Sequence, residues 1–271
     1  MSTPYPPPVD SLLELGEEAV TRQWMDYLEL GLGPDHVPDL VRLVTDERFD
    51  QGDDERPELW APVHAWRALG QLRAEPAVEP LLELADRLAE DDYAQSELGI
   101  VLGMIGRAAL PALARVVTDV EANPWVRTVA VNGLDELVKG DESARVEVVP
   151  VLLAAMEKWE GNDDLVNAYL VDLLVELRVV EAAPLMEQAF AADSVDVFLR
   201  GDWEDVQVEL GLLEKRRTTS PRRSLFPKLD PFAGAAVDAG PAPLRTPDVA
   251  RVKKNKRKQQ KESRKKNRRR K

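Results

Sequence analysis

The chain contains no cysteine among its 271 residues. That excludes disulfides, cysteine-ligated zinc, iron–sulfur clusters and thiol catalysis. Aromatic residues are scarce, at 6%. The apolar content is therefore mostly Leu, Val and Ala, a mix suited to small, closely packed helices. There are only two histidines, His36 and His64. They stand far apart in the chain and do not by themselves make a zinc or di-iron site. Uncharged apolar runs such as "LGIVLGMIG" and "VVPVLLAAM" fall well short of the ~20 residues that cross a bilayer, so no transmembrane segment is expected. The N-terminal "MSTPYPPPVDSLLELGEEAV" has no basic region ahead of an apolar core. It does not read as a secretory signal, and a cytoplasmic location is the expectation. Neither a Gly-rich phosphate loop nor a serine nucleophile elbow is found.

Charge is abundant but segregated by sign. The net charge is −13, from 36 basic and 49 acidic residues. Fourteen of the basic residues and one acid, Glu262, lie between Arg251 and Lys271. The first 250 residues thus hold 22 basic and 48 acidic residues, a net of −26. An acidic body repels nucleic acid and anionic membrane, whereas a basic tail attracts both.

The body repeats one pattern four times. "HAWRALGQL" runs into "RAEPAVEPLLELADRL", and "ELGIVLGMIG" into "RAALPALARVV". "VRTVAVNGLDELV" leads to "VEVVPVLLAAMEKW", and "NAYLVDLLVEL" to "RVVEAAPLMEQAF". Each unit reads as an apolar helix ending near a Leu, then a second helix with Pro in its first turn. The leucines are Leu69, Leu102, Leu134 and Leu174, at separations of 33, 32 and 40; the prolines are Pro80, Pro111, Pro150 and Pro184. Such a period marks stacked repeats, and Pro is tolerated in a first turn because its missing N–H has no intrahelical partner there. Two apolar stripes have helical spacing: Leu110, Leu113, Val117 and Val120, and Val126, Ala130, Leu134 and Leu137. Asn123-Pro124 reads as an N-cap followed by Pro. Asn162-Asp163-Asp164 places anions at a helix start, and Asp202 is positioned to cap a final helix.

"NPWVRTVAVNGL" resembles the HEAT signature of an acid or amide, then Val-Arg, Ala, and a Leu near the helix end. "ALGQL" and "VLGMIG" are similar to helix endings of phycobilisome-lyase-type HEAT repeats. The resemblance covers residues 57–193. The wider layout, with "VDVFLRGDWEDVQVEL" after the repeats, resembles a bacterial family of unknown function with HEAT-like repeats. Many of its members end in a SEC-C zinc-binding motif. That motif needs cysteines, so here the basic tail occupies its place.

These resemblances imply an all-α, right-handed HEAT-like α-solenoid of antiparallel helix pairs with a disordered basic C-terminal tail. Residues 1–56 would be an N-terminal helical cap, 57–193 the repeats and 194–214 a C-terminal capping helix. Residues 215–250 read as a Pro-rich linker and 251–271 as the polybasic tail. Within the linker, "SLFPKLDPF" offers Leu225, Phe226, Leu229 and Phe232 as a short docking segment, against the plainer reading of a disordered linker.

The tail has no aromatic, so base stacking is not expected. Its candidate phosphate contacts are Arg251, Lys253, Lys254, Lys256, Arg257, Lys258, Lys261, Arg264, Lys265, Lys266, Arg268, Arg269, Arg270 and Lys271. Contact with RNA or DNA, without sequence specificity, is the reading adopted. The alternatives are a merely solvated run, association with the acidic body, and binding to anionic lipid.

An enzyme on this scaffold would need chemistry that is hard to find. HEAT-like deoxyhypusine hydroxylases hold iron with His-Glu pairs, but His36 precedes Val37 and His64 precedes Ala65. HEAT-like alkylpurine DNA glycosylases need a cationic groove, and this body is acidic. Asp53-Asp54-Glu55 and Glu90-Asp91-Asp92 read as solvated loop or first-turn acids rather than cation sites. Trp60, Trp66, Trp125 and Trp159 read as core packing rather than a ligand-facing row. The expectation is a non-enzymatic scaffold or adaptor with no cofactor and no catalytic or metal residues. Its solenoid groove would hold a protein partner, preferably a basic one. A bilin lyase-type enzyme is the competing class.

Overall fold

Helix starts in this chain are set by short oxygen-bearing side chains, which satisfy backbone N–H groups that have no partner in the first turn. The computed structural model describes residues 4–21, 23–49, 56–89 and 91–219. Among these there are eleven α-helices and no strand. They are α1 (Val37–Val44), α2 (Ala61–Gln71), α3 (Val78–Arg87), α4 (Asp92–Ile105), α5 (Leu110–Thr118) and α6 (Pro124–Gly140), followed by α7 (Arg145–Met156), α8 (Asp164–Glu176), α9 (Ala183–Ala191), α10 (Val197–Arg200) and α11 (Trp203–Glu209). Asp91 accepts from the amides of Tyr93 and Ala94 to start α4. Asn123 accepts from Trp125 at 3.1 Å, with Pro124 in the first helical position of α6. Asp163 caps α8 through Leu165 at 2.9 Å. Asp202 and Asp205 cap α11 reciprocally. Each such cap contributes about 1 kcal/mol.

Along the chain the helices follow as pairs joined by short turns: α2 then α3, α4 then α5, α6 then α7, α8 then α9. Each second helix is entered through a 3-10 turn, at Glu75–Ala77, Arg107–Ala109, Glu142–Ala144 and Val180–Ala182. Two of the sequence leucines fix how the first helix ends. The carbonyl of Leu69 accepts from Ala74 at 3.1 Å, and that of Leu174 from Val179 at 2.9 Å. In both turns an arginine, Arg73 or Arg178, adopts the left-handed conformation, at φ 50° and 52°. This closure satisfies carbonyls left over at the helix end. Gly106, at φ +90°, turns the chain after α4.

Successive first helices pack on one another: α2 on α4, α4 on α6, α6 on α8. The second helices flank them, α3 against α4, α5 against α6 and α7, α7 against α8. Leu69, Leu102, Leu134 and Leu174 are all fully buried, as are Leu113, Val117 and Ala130. All described residues belong to one compact unit, Met1–Pro227.

The closest approach is between α4 and α6. A Cβ on Gly99 would sit 2.7 Å from the Asn132 Cβ and 2.9 Å from the Val129 carbonyl oxygen. One on Gly103 would sit 2.9 Å from the Gly133 carbonyl oxygen. The two glycines, one turn apart, let the backbones meet where any side chain would hold them off.

The N-terminal region, expected to be helical, is built mostly of short 3-10 turns. Residues Val9–Leu13, Glu17–Ala19 and Tyr27–Leu30 are separate 3-10 turns, and α1 is the first α-helix. Closely spaced prolines at positions 4 to 8, and Gly16 and Gly31 at φ +64° and +86°, interrupt any longer helix. Pro150 does not lie in a first turn but inside α7. Its missing N–H leaves the Val146 carbonyl without its helical donor, and both residues are exposed, so water can take that place. Val120 lies past the end of α5 rather than on its stripe. The linker from residue 220 onward and the tail 251–271 lie outside the described residues.

No helix among the described residues is long and apolar enough to cross a membrane alone. The one bent pair that passes on composition, Tyr93–Ile105 with Arg107–Thr118, contributes Leu98, Val101, Leu102 and Leu113 to the core.

Replacing Gly103 or Gly99 with Ala is expected to cost about 1–3 kcal/mol by overpacking. Gly140→Ala, at a position with nothing within 4 Å of the added carbon, should cost nothing. Urea denaturation of the three variants checks this; equal stability of all three would show that α4 and α6 do not meet through glycine.

Candidate functional site

The first helices bury strongly polar side chains, and partners on neighbouring elements answer them. On α2, Arg67 is 1% exposed and donates from Nε to Glu97 Oε2 of α4 at 2.8 Å, with a second bond from Nη2 to Oε1. The Trp66 indole N–H shares the same carboxylate at 3.0 Å, and the Arg67 guanidinium lies 4.9 Å from the centre of the Trp24 ring. On α6, Arg127 is equally buried and donates to the Val117 carbonyl at 2.8 Å and to Asn162 Oδ1 at 2.7 Å. Asn162 continues to Asn167 Oδ1 of α8 at 2.9 Å, and Asn167 reaches the carbonyls of Trp159 and Ser194. Burying an arginine is costly unless its hydrogen bonds are supplied, so these contacts hold neighbouring helices in register. Burial lowers the Arg127 pKa from its ordinary value; at Arg67 the bonds to Glu97 outweigh burial and raise it.

His64, fully buried on α2, ties the N-terminal turns to the first helix pair. Its Nε2 lies 3.0 Å from the Gly16 carbonyl and must donate there. Its Nδ1 then accepts from the Tyr27 hydroxyl at 2.8 Å. Both nitrogens are committed to structural bonds, and burial pushes the imidazole pKa below 6.5. This neutral ring is a packing group. His36 is likewise engaged, its Nδ1 accepting from the Gly33 amide at 3.0 Å. Among the described residues no three His, Asp or Glu side chains form a group that could hold a metal ion.

The chemistry that faces solvent is acidic. Toward the C-terminal ends of α6 and α8 stand Asp135, Glu136, Asp172 and Glu176, joined by Glu209 of α11. Lys139 bonds Asp135 at 2.7 Å and Glu136 at 2.9 Å. Arg200 of α10 bonds Asp172 at 2.5 Å, approaches Glu176 at 3.3 Å and also pairs with Glu209. Five carboxylates thus share two cations. Burial raises the Asp135 carboxyl pKa; Lys139 pulls it back, while Glu136 and Glu176 push it further up. Burial opposes the charge of Lys139 and of Arg200, but their carboxylate partners outweigh it and raise both. The surface keeps a net negative field that its own cations do not cancel.

A second acidic set, at the start of α11, already holds a cation. Arg216 donates to Asp202 Oδ2 at 2.8 Å, pairs with Asp205 and lies 3.7 Å from Glu204. Its bonds lower the Asp202 pKa, and the amide and hydroxyl of Thr218 lower that of Glu204.

The structure places the sequence-selected residues as follows. Trp66 is buried. Trp60 packs edge-on against Tyr93 at 5.2 Å, and Trp159 packs half-buried on the core. Trp125 instead is 47% exposed at the start of α6, so the four do not form one row. Asp91 is a helix cap, while Asp53, Asp54, Glu55 and Glu90 lie outside the described residues. So do all fourteen tail cations from Arg251 to Lys271. Sequence reasoning missed the Arg67–Glu97 pair and the acidic surface. The first had a signal in the shared Trp-Arg and Val-Arg dipeptides of α2 and α6. The second had one in the acids near the ends of "NGLDELV" and "VDLLVEL".

These features define an all-helical protein of paired helices with a polar-bonded interior and an acidic face. Residues 63–224 match the family model described as protein of unknown function (DUF1186). The match covers more than half of the chain, which belongs to that family. No curated protein and no solved structure matches it.

Acidification tests the placement of His64. Its folded-state pKa lies below its unfolded value near 6.5. Its contribution to stability is therefore complete above that value and is lost as pH falls, at up to about 1.4 kcal/mol per pH unit. In urea denaturation at pH 7.5 and 5.5, the natural chain should lose about 1 kcal/mol more than His64→Asn. Parallel losses would mean that the ring is not held neutral.

Proposed function

We propose that the chain is a non-enzymatic adaptor. Its helix pairs stack as a HEAT-like solenoid, its acidic face takes a basic protein segment, and the tail Arg251–Lys271 contacts RNA or DNA. The stacking reading is supported by which residues bond to which. Arg67 to Glu97, Arg115 to Glu79, Asn123 to Asp86, Arg145 to the Leu177 carbonyl and Lys158 to the Thr118 carbonyl join positions 30, 36, 37, 32 and 40 apart. Bonds at about one repeat length are what a stack of neighbour-only contacts requires.

The observation that carries the binding reading is the excess of five carboxylates over two cations on α6, α8 and α11. Arg216, seated among three further carboxylates, supports it from within the chain: the same body already accepts an arginine from a non-helical segment. The nucleic-acid part rests on the fourteen cations of the tail. Each phosphate they neutralise releases counterions.

Two binding measurements test the reading. A labelled Lys/Arg-rich peptide should bind the body at low salt, and Glu136→Gln, Asp172→Asn and Glu176→Gln together should weaken it about tenfold, at 0.2–1 kcal/mol per exposed pair. Full-length chain should shift RNA or DNA with a log–log salt slope of roughly −5 to −6, if about half of the tail cations engage. A chain ending at Ala250 should not shift either. Equal retention by both forms contradicts the tail assignment; peptide binding indifferent to the three substitutions contradicts the acidic-face assignment.

A further inference from the structure

After α11 the chain continues without a helix, yet residues 216–218 stay bonded to that helix. Glu204 Oε2 accepts three hydrogen bonds: from the Arg217 amide at 3.1 Å, the Thr218 amide at 2.9 Å and the Thr218 hydroxyl at 2.8 Å. Arg216 lies between Asp202 and Asp205 and reaches the Thr218 hydroxyl from Nη2 at 3.3 Å. Three carboxylates and one guanidinium leave this clasp with an excess of negative charge. The Thr218 hydroxyl proton is one of the few donors that hold it shut. Thr218 is also exposed, and Lys215, Arg216 and Arg217 immediately precede it.

We propose that Thr218 is a phosphorylation site and that its modification opens the clasp. The Thr218 oxygen attacks the terminal phosphorus of a nucleoside triphosphate held by a basophilic serine/threonine kinase. A new O–P bond forms, the bond to the departing diphosphate breaks, and the hydroxyl proton passes to the kinase's carboxylate base. Lys215 and Arg217, exposed three and one positions ahead of Thr218, supply the cationic approach such a kinase reads. The product carries about −1.5 to −2 charges where a hydrogen-bond donor stood. It meets Glu204 within bonding distance, so the contact turns from attraction to repulsion. Arg216, which already reaches the Thr218 oxygen, is drawn toward the phosphate and away from Asp202 and Asp205. The two amide bonds to Glu204 fail with it, and the segment that leads on to residue 220 is released from α11. This goes beyond the adaptor reading and does not depend on it.

The test uses the full chain, the catalytic domain of a basophilic kinase and ATP. Fragmentation mass spectrometry locates the phosphate, and hydrogen exchange follows the Arg217 and Thr218 amides. The phosphate should fall on Thr218, with both amides exchanging at least tenfold faster. Glu204→Gln should shrink that acceleration because a neutral amide does not repel phosphate. Thr218→Val should remove the label and speed exchange only slightly. A label on Thr219 or Ser220 instead, no label, or a labelled Thr218 with unchanged exchange would overturn the proposal.

Discussion

A buried guanidinium must be answered by a neighbour, and much of this fold follows from that requirement. Arg67 on α2 and Arg127 on α6 are each 1% exposed. Neither can be satisfied within its own helix. Arg67 takes its partner from α4, and Arg127 takes its partners from the end of α5 and from the loop before α8. An apolar interface of Leu, Val and Ala would tolerate sliding of one helix along another. These bonds do not, because a slip of one turn would strand a charge in the core.

Glycine sets the distance that the arginines leave open. Gly99 and Gly103 bring α4 against α6 closely enough that the backbones touch. With register and spacing fixed in the interior, the outward ends of α6 and α8 present their acids side by side. Asp135, Glu136, Asp172 and Glu176 come from helices adjacent in space but about 40 positions apart in the chain. Charge on the surface is thus organised by what is bonded underneath it.

Features that depend on near neighbours in sequence were legible from the residues alone. The Asn123-Pro124 helix start, the Asp202 cap and the burial of Leu69, Leu102, Leu134 and Leu174 all depend on local spacing and periodicity. Features that depend on distant partners were not. Asn162 reads as one of three polar residues at a helix start, yet it is 8% exposed and bonded to Arg127, because only the packed fold brings an arginine there. Pro150 reads as a first-turn proline because the helix start at Arg145 leaves no strong cap in the sequence. The acids of the candidate site were visible as composition, but their grouping across α6, α8 and α11 was not. Arg216 falls in what reads as linker, since a single arginine has no periodicity to betray its docking.

Buried polar pairing, more than apolar burial alone, fixes how one helix sits against the next. A double-mutant cycle on Arg67 and Glu97 tests it most directly, with Arg67→Met and Glu97→Gln singly and together, read by urea denaturation. Each single change should cost about 3–5 kcal/mol, because the surviving partner loses its answer. The double change should cost well under the sum, giving a coupling of at least about 2 kcal/mol. Additive costs would contradict the account, since the two side chains would then contribute to stability independently.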